Sequence, residues 1–326
     1  MSQNSFQEIR DAILAADRIL VASHLRPDSD AIGSTLAVAL WLEAEGKNVT
    51  AWNHDGLPEK FAFHPGGHLL SKAPETPQEF DLLIALDTAV VTRLGHSLKA
   101  AAGPPPIVNI DHHVSNNAYG KWNYIDSTSP ATAQILFDFF EANKIPITPQ
   151  IADNLFAGIS TDTGSFQYNS VTPHTFRVGA RLLEDGVHVS NLSQAIYESK
   201  PKRVLDLLRH ALNDAVFALD DRVVSFTLPL AVSEKLKLVP EDNEGIIDHL
   251  RAVDTVIAAV FFEELPGNHV RVSARSKDLR VDVCKICQQF NGGGHSLAAG
   301  ARIEGSLEHA REQFMKSLCN EVERIA

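Results

Sequence analysis

A short apolar run in the first half of the chain ends abruptly in one acid and two histidines. Residues 106–116 read Pro-Ile-Val-Asn-Ile-Asp-His-His-Val-Ser-Asn, and the β-branched residues near the start predict a buried strand. Ligands of open α/β sheets bind at the carboxyl ends of the strands, so Asp111, His112 and His113 predict a metal or catalytic cluster. The structural alternative is a hydrogen-bonded turn that Asp111 caps.

A second apolar run, residues 18–23, leads into a loop that carries His24, Asp28 and Asp30. Apolar residues at helical spacing over about 31–45 then complete a strand–loop–helix unit. Three oxygen and nitrogen donors so close together at a strand end favour metal binding. The alternatives are that Asp30 caps the following helix and that His24 is a solvated loop side chain.

Two further acids stand at the ends of predicted elements. Asp87 is the acid at the end of a predicted buried strand over residues 81–87, and Asp162 lies among small hydroxyl residues and glycine where a helix beginning at Pro149 ends. Either acid taken alone would be the capping residue of a turn. Beside the two loops described above, both are better explained as ligands that complete one site.

The candidate donors form a carboxylate-rich set with a few imidazoles. They are His24, Asp28, Asp30, Asp87, Asp111, His112, His113 and Asp162. Such a set favours Mn²⁺, Mg²⁺ or Co²⁺ over a metal held by thiolates. Its acids exceed the need of one ion and suit two ions about 3.5–4 Å apart that share a carboxylate and a water. The set therefore predicts hydrolysis of a phosphoester or a phosphoanhydride.

Length and composition narrow the class of protein. A chain of 326 residues with 44% hydrophobic and 21% charged residues is expected to be a soluble globular protein of two domains. The net charge of -12 argues against a broad basic surface for long duplexes, but not against a small anionic substrate. Three cysteines, a polar start unlike a signal peptide and the lack of a long apolar run predict a cytoplasmic protein without membrane attachment.

Three other histidines and two cysteines attract attention by their positions, but we predict no catalytic or metal-binding role for them. His54, His64 and His68 fall in a stretch rich in proline and glycine, and we predict that they are surface or loop residues. Cys284 and Cys287 have C-x-x-C spacing without a second pair, so semi-buried thiols are expected rather than zinc ligands.

The pattern changes beyond residue 213, where short strand hairpins alternate with helices and predict a small α+β domain. Its informative residues are Arg275, Gly292, Gly293, Gly294 and His295. Glycines allow backbone N–H groups to approach an anion closely, while Arg275 and His295 add donors suited to phosphate or carboxylate. The alternative is a flexible turn between helix and strand, in which Gly292 ends the helix.

In their order along the chain, these motifs resemble those of the DHH phosphoesterase superfamily. The matching residues are His24-x-x-Pro27-Asp28-x-Asp30-Ala31-x-Gly33-Ser34, Asp87, Asp111-His112-His113-x-Ser115-Asn116, Thr161-Asp162-Thr163-Gly164 and, for the associated C-terminal domain, Gly292-Gly293-Gly294-His295. Ser29 departs from the pattern, since many members have glycine there. The resemblance implies an α/β domain with a parallel sheet (residues 1–188), a helical connector (189–213) and a smaller α+β domain (214–326), with the active site in the cleft between the domains.

The resemblance also implies how the donors divide between two ions, with Mn²⁺ favoured over Mg²⁺ or Co²⁺. One ion would be held by His24, Asp28 and Asp87, and the other by Asp30, Asp87, His112 and Asp162, so that Asp87 bridges them. Asp111 would orient a motif histidine, and His113 would contact the scissile phosphate or protonate the leaving oxygen. Another phosphate or the terminal nucleotide of the substrate would be bound by Arg275, Gly292, Gly293, Gly294 and His295.

The size and domain plan resemble the nanoRNase and pAp phosphatase branch of the superfamily. That branch cleaves very short oligonucleotides and removes the 3′-phosphate from adenosine 3′,5′-bisphosphate (pAp). The expected partners are short RNA or DNA oligonucleotides and pAp, without stable binding of long duplexes, and a monomer and a homodimer both stay open. The rival interpretations are a manganese pyrophosphatase or exopolyphosphatase, a RecJ-type single-strand exonuclease and an inactive nucleotide sensor. No expected ligand is missing, which argues against the sensor.

Overall fold

The computed structural model describes residues 3–101, 103 and 105–325. The chain divides into two compact units, Met1–Ser199 and Lys200–Ala326. The predicted fold class is confirmed, because an α/β unit with a parallel sheet is followed by a smaller unit of mixed α and β structure. The predicted domain boundaries and the cleft between the domains stay predictions.

The first unit is built on a six-stranded sheet in which every pair of neighbouring strands is parallel. Its strands are β1 (Arg18–Ser23), β2 (Asn48–Asn53), β3 (Leu70–Lys72), β4 (Leu82–Leu86), β5 (Ile107–Asp111) and β6 (Trp122–Ile125). Its α-helices are α1 (Phe6–Leu14), α2 (Ser29–Ala44), α3 (His96–Ala100), α4 (Thr132–Ala142), α5 (Pro149–Asp162), α6 (Pro173–Glu184) and α7 (Val189–Tyr197).

The strands of this sheet are apolar on both faces because the sheet has a core on each side. Ile84 packs in the larger core with α2, α4 and α5, whereas its neighbours Leu83 and Ala85 pack in the opposite core with α3. Continuous apolar runs are typical of parallel strands buried on both faces. This explains why β1, β4 and β5 could be predicted from the sequence at nearly their observed limits.

The strand order β3-β2-β1-β4-β5-β6 places a switch point between β1 and β4. The chain proceeds outward to one edge of the sheet after β1 and to the other edge after β4. Crevices that bind ligands form at such a point, beyond the carboxyl ends of the strands. The residues that follow β1 and β4 are therefore at the expected position for an active site.

The second unit contains a six-stranded sheet in the order β11-β12-β10-β9-β8-β7, antiparallel except for the pair β8 and β9. The strands are β7 (Val216–Ala218), β8 (Val223–Leu228), β9 (Ala258–Leu265), β10 (His269–Ser276), β11 (Gly293–His295) and β12 (Ala298–Glu304). The helices are α8 (Lys202–Asn213), α9 (Leu230–Leu236), α10 (Ile246–Arg251), α11 (Val283–Gln288) and α12 (Leu307–Glu323). One core forms with α11 and α12, and a second with α8 and α10.

Five short strands and α-helices were not predicted. Strand β3 lies in a stretch that was expected to be mostly loop, no strand was expected for the glycine segment that forms β11, and α3, β6 and α9 were not recognised. Each is only three to seven residues long, so its sequence periodicity is too brief to stand out. In the part of the chain that the structure describes, no helix combines the length and apolar character needed to cross a membrane.

Candidate metal centre

The sheet brings the ends of three strands to one edge. His24 directly follows β1, Asp87 directly follows β4, and Asp111 is the last residue of β5 with His112 and His113 after it. Because these strands are parallel neighbours, their carboxyl ends lie together. The helices supply the remaining acids at the same edge, from the start of α2 and the end of α5.

Three groups of side chains at this edge offer ligand atoms that lie within 4.8 Å of one another. They are His24, Asp28 and Asp87; Asp30, His112 and Asp162; and Asp87, His112 and His113. Asp87 and His112 each belong to two groups, so the three form one continuous cluster. The structure therefore brings together every residue predicted as a metal ligand.

Two imidazole rings present the same nitrogen to the cluster. His24 Nδ1 lies 2.9 Å from the carbonyl oxygen of Leu25, which can only accept, so this nitrogen carries the proton although Arg93 Nη2 lies 3.2 Å away. His112 Nδ1 similarly lies 3.4 Å from the carbonyl oxygen of Ser129. The Nε2 atoms face the carboxylates, which is how neutral histidines are oriented for metal binding.

The Nε2 atoms lie at ion-pair distance from the acids. His24 Nε2 is 3.3 Å from Asp87 Oδ2 and 3.6 Å from Asp28 Oδ2. His112 Nε2 is 3.4 Å from Asp87 Oδ1 and 3.3 Å from Asp162 Oδ2. These separations exceed the hydrogen-bond optimum, and a cation held between the two atoms would replace the proton that lies between them.

The electrostatics of the cluster favour bound positive charge. Burial would lower the pKa of His24 and His112, but the neighbouring carboxylates outweigh it and raise each pKa to about 10. Burial and then the charge of Asp87 raise the pKa of Asp30 to about 7. Burial and then the charge of Asp30 raise the pKa of Asp162 well above its usual range. Carboxylates that oppose one another's ionisation, beside imidazoles that hold protons, form a donor set that fits divalent cations.

The alternative that Asp30 caps the following helix is wrong, because a neighbouring acid is the cap. Asp28, not Asp30, is the N-cap of α2, and its Oδ1 accepts from the backbone N–H of Ala31. Asp30 is fully buried in the first turn, where its oxygens accept the backbone N–H groups of Thr132 at 2.7 Å and Ala133 at 2.9 Å. Asp30 therefore also fixes the start of α4 against α2, a role that local sequence could not show.

Asp87 has an unusual backbone conformation for a non-glycine residue. Its φ is +51°, in the left-handed region, and its side chain is almost completely buried. The Thr132 hydroxyl donates to its Oδ1 at 3.0 Å. Left-handed residues held in place by their surroundings concentrate at functional sites. Thr132 is a contact that the sequence analysis missed, because no motif marks it.

A hydrogen-bonded chain supports His113 beside the cluster. Asp111 Oδ1 lies 2.8 Å from His113 Nδ1, and Asp111 Oδ2 accepts from Asn116 Nδ2 at 2.6 Å. Burial lowers the pKa of His113, but the bond to Asp111 and the charge of Asp87 outweigh it and raise the pKa. Asp111 thus orients a histidine without itself belonging to any of the three donor groups.

Similar proteins assign the chain to a family. Residues 18–159 match the DHH family, N-terminal domain, and residues 228–324 match the DHHA1 domain. The chain is 31% identical to the bifunctional oligoribonuclease and PAP phosphatase NrnA of Thermus thermophilus, over 94% of this chain and 90% of that protein. The chain belongs to the DHH phosphoesterase family. The Bacillus subtilis protein with the same name is 26% identical, over 97% of this chain and 99% of that protein.

Solved structures show the same fold. An exopolyphosphatase-related protein from Bacteroides fragilis superposes with a TM-score of 0.87 at 23% identity, over 97% of this chain and 95% of that one. Exonuclease RecJ bound to manganese gives a TM-score of 0.53 at 13% identity, over 99% and 95%. The resemblance drawn from the motifs is confirmed: the chain lies in the NrnA branch of the DHH phosphoesterases, which are metal-dependent hydrolases.

In the DHHA1 domain the glycine segment is a strand rather than a loop. Gly293–His295 forms β11 and pairs with β12. A Cβ at Gly292 would lie 2.3 Å from the carbonyl oxygen of Gly300, and one at Gly294 would lie 2.6 Å from that of Ala298. Gly293 faces open space instead. Close strand approach therefore explains why Gly292 and Gly294 carry no side chain, whereas a side chain at Gly293 would meet no neighbouring atom within 4 Å.

Arg275 and His295 lie in one row across the DHHA1 sheet. Arg275 on β10 pairs with Ala298 on β12, which pairs with His295 on β11. Paired residues point to the same face of a sheet. Because Arg275 and His295 are two strands apart, their Cα atoms are separated by about 10 Å. Arg275 donates to the adjacent carbonyl of Ala274, and His295 is exposed. This row suits an anion that lies over the sheet between them.

His64 lies in a loop, as predicted, but it is buried rather than on the surface. Its Nδ1 is 2.8 Å from Asn154 Oδ1, and its Nε2 is 2.9 Å from Ser29 Oγ. The surrounding stretch, which is rich in proline and glycine, contains no signal for partners so distant in the sequence. Cys287 is buried and Cys284 partly buried, both free, and in the described part of the chain no donor group includes either.

Proposed function

We propose that this chain hydrolyses short oligoribonucleotides and pAp, releasing mononucleotides and AMP. The observation that carries the proposal is the convergence of three donor groups sharing Asp87 and His112 at the switch point of the sheet. The relatives from Thermus thermophilus and Bacillus subtilis, which match nearly the whole chain, are named as enzymes acting on oligoribonucleotides and PAP. The substrate is therefore expected to be small, consistent with the acidic chain.

The proposed cofactors are two divalent cations, with Mn²⁺ favoured by the mixture of carboxylates and imidazoles. His24, Asp28 and Asp87 would hold the first, and Asp30, Asp87, His112 and Asp162 the second. When bound, such a pair lowers the pKa of a water and neutralises charge that develops on the phosphate. The chain's own contribution is to fix these donors on strand and helix ends, where their geometry is rigid.

His113 is proposed as the acid that protonates the leaving oxygen. Its Nδ1 is engaged by Asp111, so Nε2 is the ring nitrogen that remains for the substrate. The pKa of His113 is raised, which favours the protonated ring that a general acid requires. Asn116 restrains the other Asp111 oxygen, so the carboxylate cannot rotate away from the histidine.

The DHHA1 domain is proposed to bind the remainder of the substrate. Arg275 and His295 would contact a phosphate that is not cleaved, and Gly293 would allow the ligand to approach the strand. Gly292 and Gly294 are proposed to belong to the same anion site, since glycines let the backbone approach an anion closely. A cytoplasmic location is part of the proposal, and the three free cysteines favour it.

The test is a substrate panel measured with Mn²⁺ and with EDTA. It contains pAp, an RNA dinucleotide labelled at the 5′ end, an RNA of about 20 nucleotides, longer than a small-ligand site admits, and pyrophosphate. Rapid, EDTA-sensitive cleavage of pAp and the dinucleotide with slow cleavage of the long RNA is the expected result. Cleavage of pyrophosphate alone would assign a pyrophosphatase, and preference for the long RNA would assign a RecJ-type exonuclease. Binding without turnover would indicate a sensor.

A further inference from the structure

A buried hydrogen-bonded chain connects the first turn of helix α2 to helix α5. Ser29, which separates the ligands Asp28 and Asp30, contacts His64 through its hydroxyl at 2.9 Å, and the other His64 nitrogen contacts Asn154 at 2.8 Å. All three side chains are buried. Ser29 and His64 are 35 residues apart, and His64 and Asn154 are 90 residues apart, so the chain exists only in the folded protein.

The partners determine which atoms donate in this chain. Asn154 Nδ2 donates to the carbonyl oxygens of Pro65 and Gln150, so Asn154 Oδ1 is the acceptor facing His64. His64 Nδ1 therefore carries the proton, and His64 Nε2 accepts from the Ser29 hydroxyl. A neutral imidazole satisfies both contacts at once, with one donor and one acceptor.

Helices α2 and α5 approach each other closely beside these hydrogen bonds. A Cβ at Gly33 on α2 would lie 2.4 Å from the carbonyl oxygen of Asn154, and one at Gly158 on α5 would lie 2.7 Å from Asp30 Oδ1. Asp162 follows Gly158 by one helical turn on α5. The contact between α2 and α5 thus sets the separation of two carboxylates, Asp30 and Asp162, that belong to one donor group.

We infer that His64 is a positioning residue for the second cation. By joining Ser29 to Asn154, it holds the first turn of α2 against α5 and keeps Asp30 and Asp162 at ligand distance. The inference rests on the two-cation site of the proposed function, and it adds a residue that no donor group contains. Ser29, which lies between the two acids, supplies the hydroxyl that donates to His64.

A purely packing role is the competing explanation. His64 stacks on Phe63 with ring centroids 4.4 Å apart and contacts the edge of Phe61. An apolar side chain of similar size would keep those contacts but lose both hydrogen bonds. The two explanations therefore differ in what they predict for metal binding by a folded variant.

The experiment measures Mn²⁺ binding by titration calorimetry in the wild type, His64→Leu, Ser29→Ala and His64→Gln. We expect the wild type to bind two ions. In His64→Leu and Ser29→Ala the second should bind about 10-fold more weakly, as for other outer contacts of ligands. His64→Gln offers an amide with one donor and one acceptor, and it should recover part of the affinity. The concentration of Mn²⁺ for half-maximal activity should shift in parallel, while kcat at saturating Mn²⁺ changes little.

His68→Leu is the matched control, since His68 is an exposed histidine of the same stretch. It should leave both affinities unchanged. Unaltered affinity for the second ion in folded Ser29→Ala and His64→Leu would overturn the inference, as would equal weakening of both ions. If His64→Leu does not fold, Ser29→Ala alone decides. Because the titration needs no substrate, an inactive wild type that binds two ions would disprove the proposed function and leave this test intact.

Discussion

At the scale of single residues, Asp87 combines the most demanding requirements in the molecule. It is buried, has a left-handed backbone and faces both His24 and His112. Burial alone would raise its pKa, but the two histidines outweigh burial and hold the pKa well below its usual range. Asp87 is therefore the charged residue around which the other donors are arranged.

Asp87→Asn should abolish activity while preserving the fold. Asparagine tolerates φ of +51° better than alanine, and its amide oxygen can still accept from Thr132. Loss of the shared charge should lower kcat/KM for pAp by about 1000-fold or more, equivalent to several kcal/mol of transition-state stabilisation. Steady-state kinetics and a cooperative unfolding curve check the two parts. Turnover like that of the wild type would contradict the shared role of Asp87.

His64 should make stability depend on pH in a characteristic direction. Burial lowers its pKa to about 4 in the folded protein, against an ordinary value of 6.5. The unfolded chain therefore binds a proton that the native state does not, so the contribution is complete above pH 6.5 and is lost as the pH falls towards 4. The loss amounts to about 2.5 kcal/mol at pH 4.5.

Urea unfolding of wild type and His64→Gln, in EDTA at pH 7.5 and pH 4.5, measures this effect. The wild type should lose more stability than the variant on acidification, by about 2.5 kcal/mol. Parallel losses in the two proteins would show that His64 is not held neutral in the native state.

At the scale of elements, α2 can pack closely on α5 because glycines occupy the positions where the two helices touch. Gly33→Ala would force a Cβ against a backbone carbonyl at 2.4 Å, and no side-chain rotation can relieve that contact. We expect destabilisation of about 2–3 kcal/mol, typical of overpacking. Gly179 in α6 is the matched control, because its Cβ would meet only the Phe166 ring at 3.7 Å. Gly179→Ala should be neutral or stabilise by about 0.5–1 kcal/mol.

Denaturant midpoints of the two alanine variants provide the comparison. Equal stability of Gly33→Ala and Gly179→Ala would mean that α2 and α5 can separate without cost, and the close approach would then not fix Asp30.

Strand β11 provides a second test at this scale. Gly293→Ala places a methyl group in open space, so stability should change by less than about 0.5 kcal/mol. If the substrate lies there, KM for pAp should rise about 10-fold, a cost of about 1.4 kcal/mol. Gly294→Ala differs because its φ is +142° and its Cβ would lie 2.6 Å from the carbonyl oxygen of Ala298, so it should destabilise the DHHA1 unit. An unchanged KM in Gly293→Ala would remove this strand from the binding surface.

At the scale of the whole molecule, the two units have separate cores. Among the described residues, no core cluster includes members from both units. All residues of the three donor groups belong to the first unit. Metal should therefore stabilise one unit and leave the other unaffected.

Calorimetry should resolve this as two unfolding transitions, of which only one responds to Mn²⁺. At a free concentration 100 times the dissociation constant, a single ion stabilises by about 2.7 kcal/mol. The transition of the first unit should move to higher temperature, and Asp87→Asn should abolish the shift. Movement of both transitions together would show that the units unfold as one.

Local pattern explains what was predictable. The limits of β1 and the acids and histidines at strand ends could be derived because apolar runs and side-chain chemistry are properties of neighbouring residues. The buried state of His64 and the capping role of Asp28 could not, since each depends on which partners the fold brings near. The short elements β3 and α9 were missed because few residues carry their signal.

The donor residues, their places at the ends of strands and helices, and the DHH resemblance that follows from their order could all be read from the sequence. Tertiary structure was needed to show that His112, like Asp87, is shared by two donor groups, that Asp30 fixes α4, and that His64 joins Ser29 to Asn154. The difference arises because some properties depend on neighbouring residues and others on residues far apart in the sequence. Side-chain type and periodicity are local, whereas shared ligands, a left-handed backbone and the approach of α2 to α5 arise only when distant segments pack together.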